Sequence, residues 1–467
     1  MKTKWRKSLC LTLALFLACG AAGCAEKAST VKIEDLYIPV YEDNGQHYRT
    51  MADMPPNLAD KAQAEMYKAA GFNFAPYTED FVLASEVAMD GEDSKYIKGL
   101  KNCEEVGIDV FIRPHSGKTS SVPTTEPCYF EEYFSTIDFR DYPAVKGFFV
   151  VDEPAYGQLE DLESRYLTWF NENYGGGNFE FFANLYGCHT RNWATGEYKD
   201  KTYNDYVEKY LSIVDRADAA NKTHSIDFYP LRVYDGVYDM YEYNLKVHQD
   251  AATRAKAHNV GLGAYAQAFG GNADGSSYRI PSTFAEINWS LYNILSFGAT
   301  TLKFFCYRSY EPAGLAGMIT DGQPNERYYF VQEALKLIEK YDHVLLSYKW
   351  DHLFTNVGTG SRSATNQAFE HVRGVVKPIT DVKNVKSKYD ITMNEFTDAD
   401  GNKAFMLLNY DEPMMQRNNK VTVTFKEADG VMYYRNGEPT TKVLKDGKFE
   451  IDLQSGEGVF VIPLYKK

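Results

Sequence analysis

The sequence predicts an α/β protein, a (β/α)8 TIM barrel followed by a small C-terminal antiparallel β-sandwich. Three observations carry the prediction. From residue 36 to about 345 one pattern recurs eight times: a short apolar run, a polar loop, then a helical stretch. From about residue 350 onward the runs shorten and are bounded by turn-forming "DADGN", "NGEP", "KDG" and "SGEG". The competing doubly wound sheet often carries a Gly-rich phosphate turn after its first strand, and none is found here; "YGGGN" at 174–178 precedes a strand and reads as a turn.

The eight strands are expected at "LYIPVY" (36–41), "FNFAPY" (72–77), "DVFIRP" (109–114), "GFFVVD" (147–152), "FEFFANLY" (179–186), "HSIDFYP" (224–230), "GLGAYAQAF" (261–269) and "TLKFFCY" (301–307). Amphipathic segments at 57–70, 94–106, 159–173, 202–216, 240–258, 282–297 and 325–343 supply the helices between and after them. This alternation is that of successive βα units with right-handed crossovers. Beyond them "DITMNEF", "KAFMLLNY", "KVTVTF", "GVMYYRN", "KFEIDL" and "GVFVIPLY" read as antiparallel strands. The expected division is a leader at 1–24, a barrel at 25–348 and an accessory sandwich at 349–467.

The chain has 467 residues, 44% of them hydrophobic, and a net charge of −14, so no positive field would draw in nucleic acid. Its 36 Tyr and 28 Phe exceed ordinary core needs and suit a surface that handles sugars, where rings stack on C–H faces and phenols bond to hydroxyls. Four basic residues (Lys2, Lys4, Arg6, Lys7) precede the apolar "LCLTLALFLACGAAG", which is too short to span a bilayer comfortably and ends at Cys24. This leader resembles a bacterial lipoprotein signal, which implies cleavage before Cys24, lipid on its thiol and an extracytoplasmic, membrane-anchored protein. The folded part keeps Cys103, Cys128, Cys188 and Cys306, none at metal-ligand spacing, so no metal is expected and the thiols read as structural or free. No phosphate loop, zinc pair, EF-hand loop or G-x-S-x-G turn is found, and no cofactor is expected.

In a barrel of this kind function gathers where strands end. Those ends offer Tyr77 and Glu79, Arg113 and His115, Asp152 and Glu153, Asn184 and Tyr186, Asp227 and Tyr229, Gln267, and Tyr307 and Arg308. Carboxylates, amides and phenols converging on one rim suit a carbohydrate. Lys303 lies inside the eighth strand and reads as an internal ion-pair partner.

"GFFVVDEP" resembles the fourth-strand motif of the large clan of (β/α)8 retaining glycoside hydrolases that includes β-galactosidases, in which the general acid/base Glu follows an Asn; here Asp152 stands in that place. The order Asp152-Glu153-Pro154, Asn184, Asp227-Phe228-Tyr229-Pro230 resembles more closely a group of bacterial, often lipid-anchored, glycoside-hydrolase-like proteins. "AQAFG" and "RIPSTFAEINWSLYNILSFGATTLKFFCY" resemble β-galactosidase-like barrels of that clan, again with a C-terminal β-sandwich. The resemblance implies Glu153 as proton donor. It also implies a Glu at the end of strand seven, and Gln267 stands there instead; an amide cannot form a glycosyl ester. Asp227 is then the best second carboxylate, with Glu286 or Asp274 as other sources. The remaining ends, Tyr77, Arg113, His115, Asp152, Asn184, Tyr229, Gln267 and Tyr307, would bind substrate. Neighbouring strand residues alternate faces, so one of the pair should face the pocket and the other its wall; with Glu153 as proton donor, Asp152 is expected to support the wall. The expectation is a glycosidase acting on an oligo- or polysaccharide; the alternatives are a surface glycan-binding protein and a structural cell-surface protein.

Overall fold

The computed structural model describes residues 31–77, 94–112, 137–234, 237–273, 276–309, 314–361, 363–373, 379 and 381–467. The leader with Cys24, and Glu79, Arg113, His115, Cys128 and Asp274, lie outside them.

Eight parallel strands form a nearly closed barrel: β1 (Arg49–Ala52), β2 (Phe74–Tyr77), β3 (Asp109–Ile112), β4 (Val145–Asp152), β5 (Glu180–Tyr186), β6 (Thr223–Asp227), β7 (Gly261–Gln267) and β8 (Ala299–Phe305). They are ordered β1-β8-β7-β6-β5-β4-β3-β2. Seven of the eight lie where the apolar runs predict them. The first does not. Residues 36–41 form no barrel strand; Leu36 is buried and bridges Lys466, and the Tyr37 N–H donates to the Tyr465 carbonyl at 2.9 Å, so the segment lies along the C-terminal end of the chain. The true first strand is the four-residue "RTMA", too short and polar for a periodicity reading. An apolar run reports burial; it does not report the burying partner.

The helices follow their amphipathic segments and carry their own stop signals. Lys95–Val106 starts at Ser94, whose hydroxyl accepts from the Ile97 N–H, and stops at Gly107 in the left-handed conformation that glycine adopts without penalty. Tyr203–Arg216 starts on a Thr202–Asp205 capping box.

The barrel interior is layered. At the N-terminal end a partly exposed Arg49 and a buried Glu180 form a bidentate ion pair, with Asn221 donating to the same carboxylate. Above it Met51, Phe74, Phe111, Phe149 and Phe182 fill the cross-section, with Phe149 and Phe182 stacked at 4.8 Å. Such an apolar plug leaves the C-terminal half of the bore for polar groups.

After the barrel come nine further strands, β9 (Tyr348–Asn356), β10 (Val382–Ser387), β11 (Ile391–Asp398), β12 (Lys403–Asn409), β13 (Asn419–Phe425), β14 (Gly430–Arg435), β15 (Glu438–Val443), β16 (Lys448–Leu453) and β17 (Gly458–Leu464). They build antiparallel sheets ordered β9-β11-β12-β17-β14-β15 and β10-β13-β16. Both sheets contribute to one apolar core that includes Val385, Met393, Phe405, Val423, Phe449 and Val461. The outer face of the larger sheet continues the barrel's own core through Trp289, Tyr292, Tyr341, Tyr348, Tyr410, Tyr434 and Phe460. Tyr341 stacks on Tyr434 at 5.0 Å, and a Cβ on Gly458 would meet the Tyr292 ring at 2.2 Å, so this approach requires glycine. A buried charge cluster ties the two parts together: Arg279 bonds Glu286 at 3.0 Å and Glu412 at 2.6 Å.

Each of those interface aromatics is worth about 1.5–3 kcal/mol of burial, and losing Glu412 strips Arg279 of one buried partner. A chain ending at residue 348 is therefore expected to expose Trp289, Tyr292 and Tyr341 and to aggregate. Size-exclusion chromatography checks this, and a soluble, cooperatively melting truncation would contradict it.

Candidate active site

The C-terminal end of the barrel is built from interior positions two residues apart. On β5 these are Glu180, Phe182 and Asn184; on β6, Thr223, Ser225 and Asp227; on β8, Thr301, Lys303 and Phe305. On β4 the count breaks. Phe149 pairs with Phe182, but Val151 pairs with Ala183 and Asp152 with Asn184, so a bulge at Val150 shifts the face by one residue. The bulge turns Asp152 inward, where simple alternation from Phe149 would put Glu153. Glu153 follows in the left-handed conformation (φ 47°), its N–H donating to the Asn184 carbonyl at 2.9 Å. Glu153 is half-buried, and its charge acts on the phenol of Tyr206 in the helix behind the strand. The expected division, Asp152 to the wall and Glu153 to the pocket, therefore does not follow from the backbone: Asp152 is the interior carboxylate.

Above the aromatic layer lies a continuous hydrogen-bonded set. The Lys303 ammonium donates to Asn184 Oδ1 and Ser225 Oγ, both at 2.7 Å, and sits 4.0 Å from the Phe182 ring centroid. Ser225 Oγ donates to Asn184 Oδ1 at 2.6 Å. Asn184 Nδ2 donates onward to Asp152 Oδ1 at 3.1 Å and to the Tyr265 hydroxyl at 2.8 Å. Tyr265 in turn donates to Asp53, the residue just past β1. Asn184, Ser225, Lys303 and Tyr265 are essentially solvent-free, and Asp53 is buried.

Asp227, at the end of β6, lies within electrostatic reach of Asp152, Asp53 and Lys303. The residue is half-buried but its Oδ1 is out of solvent. Burial pushes its carboxyl well above the usual range, the negative charge of Asp152 pushes it further and Asp53 adds to this; the Tyr229 hydroxyl and the Lys303 ammonium pull it down. Lys303 is lowered by burial, against the opposing pull of Asp53, Asp152 and Asp227. The site thus holds a carboxyl biased toward its neutral form beside a second carboxylate, the combination that general acid chemistry requires.

Other expected contacts fall elsewhere. Gln267 is fully buried and its amide is consumed by backbone: Nε2 donates to the carbonyls of Leu231, Phe269 and Arg279 at 3.0–3.2 Å, and Oε1 accepts from the Leu231 N–H at 2.8 Å. It anchors the loops after β6 and β7 and is not presented to a ligand. Tyr307 is packed between strands and helices against Tyr67, Phe72 and Tyr328. Glu286 caps its own helix through Ser282 and Thr283 and pairs with Arg279, so its carboxylate is held away from the other carboxyls as a structural partner. Tyr229 lines the site wall with Tyr265, Phe269, Tyr278 and Phe305. Tyr77 ends β2. The loops after β6, β7 and β8 contribute Leu231–Tyr234, Val237–Met240, Gly270–Ala273, Ser276–Tyr278 and Leu315–Ala316 to a five-stranded antiparallel sheet at this rim. Within it Arg232 lies between the rings of Tyr278 and Tyr241, at 4.1 and 5.1 Å.

Sequence reasoning does not reach Asp53 or Tyr265. Asp53 follows the strand that periodicity misses. Tyr265 reads as one more apolar strand residue, though a buried phenol requires a partner. A cavity of about 950 Å³ opens at the other end of the barrel, lined by His47, Arg49, Asn73, Asn221, Thr223 and Thr300 among others. Its charged floor, Arg49 and Glu180, is a closed pair at the strand N-termini, where barrels of this kind hold stability determinants and not chemistry.

The raised Asp227 carboxyl has a stability consequence. The native state binds that proton more tightly than the unfolded chain, so Asp227's favourable contribution is complete below the ordinary value of 3.8 and is lost as pH rises toward the raised value. Asp227→Asn does not titrate. Its melting temperature relative to wild type is expected to climb with pH across that window; a difference independent of pH would contradict the burial of this carboxyl.

No family model and no curated protein matches the sequence. Solved structures match the fold. One described as "Glycoside hydrolase" aligns over 93% of this chain and 96% of its own, with a TM-score of 0.53 at 12% identity. A glycoside hydrolase family 5 protein from Bacteroides vulgatus ATCC 8482 aligns over 93% of both chains, with a TM-score of 0.50 at 10% identity. The alignments run through the barrel and the C-terminal sheets alike, so what is shared is the whole architecture.

Proposed function

We propose that this protein is a glycoside hydrolase acting on an oligo- or polysaccharide at the C-terminal rim of the barrel. The observation that carries the reading is the placement of Asp152, Asp53 and Asp227 at the C-terminal end of the bore around the enclosed Lys303, where burial and the charge of Asp152 bias the Asp227 carboxyl upward. Asp227 is the proton donor to the leaving glycosidic oxygen, the role that the sequence motif gives to Glu153. Asp152, gripped by the Asn184 N–H, supplies the opposing negative charge. A separation of about 5–5.5 Å between the reacting carboxyls in the complex would make Asp152 a nucleophile, and about 6.5–9.5 Å the base for a water. Half-buried Glu153 sits at the rim, where sugar hydroxyls reach it. Tyr229 and Tyr278 form part of the aromatic wall beside the carboxyls, the kind of apolar surface against which sugar C–H groups pack. The fold shared with glycoside hydrolases supports the substrate class but not these roles.

A glycan screen with wild type and single variants tests this. Asp227→Asn and Asp152→Asn are each expected to lower hydrolysis by about 10²–10⁴-fold while binding survives. A loss of that size in Glu153→Gln, with Asp227→Asn still active, would return the acid role to Glu153. A second reading, a glycan-binding protein that does not cleave, is favoured by Gln267 occupying the expected nucleophile position with its amide spent on backbone. Binding without turnover by wild type would select it.

The proposed location is extracytoplasmic, with the mature chain anchored by lipid on Cys24 at the end of a basic-then-apolar leader. Among the described residues no helix is long and apolar enough to cross a membrane. Cys24→Ser is expected to move the protein from the membrane to the soluble fraction on cell fractionation; an unchanged distribution would contradict the anchor.

A further inference from the structure

We propose that Lys303 is a positioning residue for the carboxylate site: its ammonium fixes the Asn184 carboxamide so that the amide N–H groups face Asp152 and Tyr265, through which it sets the arrangement of Asp152 and Asp53, while its charge faces Asp227. The inference deepens the carboxyl-catalysis reading and rests on it.

A carboxamide can sit in either of two orientations that differ only by exchange of its oxygen and nitrogen. At Asn184 the environment decides between them. On one side lie an ammonium, which can only donate, and the Ser225 hydroxyl, which here gives its proton to Oδ1. On the other side lie the Asp152 carboxylate, which accepts, and the Tyr265 hydroxyl, whose own proton is committed to Asp53. Each donor in the set therefore points from Lys303 toward the aspartates. Reversing the amide would set N–H against ammonium and C=O against carboxylate. An ammonium at this one point thus propagates a single polarity to two carboxylates on different strands.

The position is costly to occupy for any other purpose. Lys303 is fully enclosed, its stem passes within 3.3 Å of where a side chain on Gly263 would begin, and its cation lies over Phe182, with Tyr265 and Phe149 at 5.3 and 5.9 Å. No solvent hydrates it. The charged and titratable groups that act on it come from every side of the bore: Asp53 after β1, Asp152 on β4, Asp227 on β6 and Tyr265 on β7. Three carboxyls act on this one cation, so removing it takes away a charge that they share and the fixed geometry of the Asn184 amide.

The test is a titration that needs no substrate. Side-chain carboxyl NMR of aspartate-labelled protein, assigned with Asp152→Asn and Asp227→Asn, is compared between wild type and Lys303→Met. In the variant the midpoint of Asp227 is expected to rise by about one pH unit or more, a tenfold change in proton affinity. The Asn184 side-chain amide signals are expected to move with it. A folded Lys303→Met protein with an unmoved Asp227 midpoint and unmoved Asn184 amide signals overturns the proposal. Should that variant not fold, wild type alone decides: the Asn184 amide shift is expected to follow pH with the same midpoint as the Lys303 ε-carbon, and a flat amide response across the Lys303 titration overturns the proposal. On any glycan that wild type hydrolyses, the pH–rate profile of Lys303→Met is expected to shift upward in step with the Asp227 midpoint; a reduced rate on an unshifted profile marks Lys303 as merely structural. If wild type hydrolyses none of the glycans, the catalytic reading fails while the two NMR results still decide the positioning role.

Discussion

The constraint on which the rest of this structure depends is a single cation held dry inside the barrel. Lys303 sits above five apolar side chains that close the bore and below Asp53, Asp152 and Asp227, whose charges all act on it. Burying a lone ammonium is prohibitive unless partners surround it. Here the partners are supplied by strands β5, β6 and β7 and by the ends of β1 and β4, so the charge can be accommodated only once the barrel has closed. Fold and site are therefore one problem. The aromatic layer excludes water from beneath, and the exclusion makes each electrostatic interaction above it stronger.

The same logic explains why two features far from the reacting groups belong to the account. The bulge at Val150 transfers Asp152 from the helix side of β4 to the bore, which puts a second carboxylate within electrostatic reach of Asp227. Gln267, where the family motif leads one to seek a nucleophile, spends its amide on four backbone groups of the loops after β6 and β7. Those loops carry Arg232, Tyr278 and Arg279, and Arg279 in turn is clamped by Glu286 and Glu412. The C-terminal sheets thus reach the rim through one buried guanidinium, which gives them a role in holding the site as well as in covering the barrel.

Much of this was legible in the sequence. The βα rhythm located seven of the eight barrel strands, because a strand covered on both faces reads as an unbroken apolar run. Asp152, Asn184, Asp227 and Tyr229 stood out as polar groups at the ends of such runs, and Lys303 as a cation inside one. What stayed hidden shares a physical cause. Periodicity cannot reveal a bulge, since one inserted residue leaves the composition of the run unchanged and reverses its faces. It cannot reveal a four-residue strand such as β1, and so it lost Asp53 too. Nor can it separate a phenol that packs from one that relays a hydrogen bond, as with Tyr307 and Tyr265. Likewise Leu36 is buried because the C-terminal end of the chain runs beside it, which no local pattern records.

The central claim is that a sugar is processed over Asp227 and Asp152 at the C-terminal end of the bore. A crystal structure of Asp227→Asn with an oligosaccharide selected by binding tests it most directly. The account predicts a sugar at the rim, its glycosidic oxygen within hydrogen-bond reach of residue 227 and its ring against Tyr229 or Tyr278. A sugar seated only at the opposite end of the barrel, in the cavity beside Arg49 and Asn221, or only on the C-terminal sheets, would contradict it.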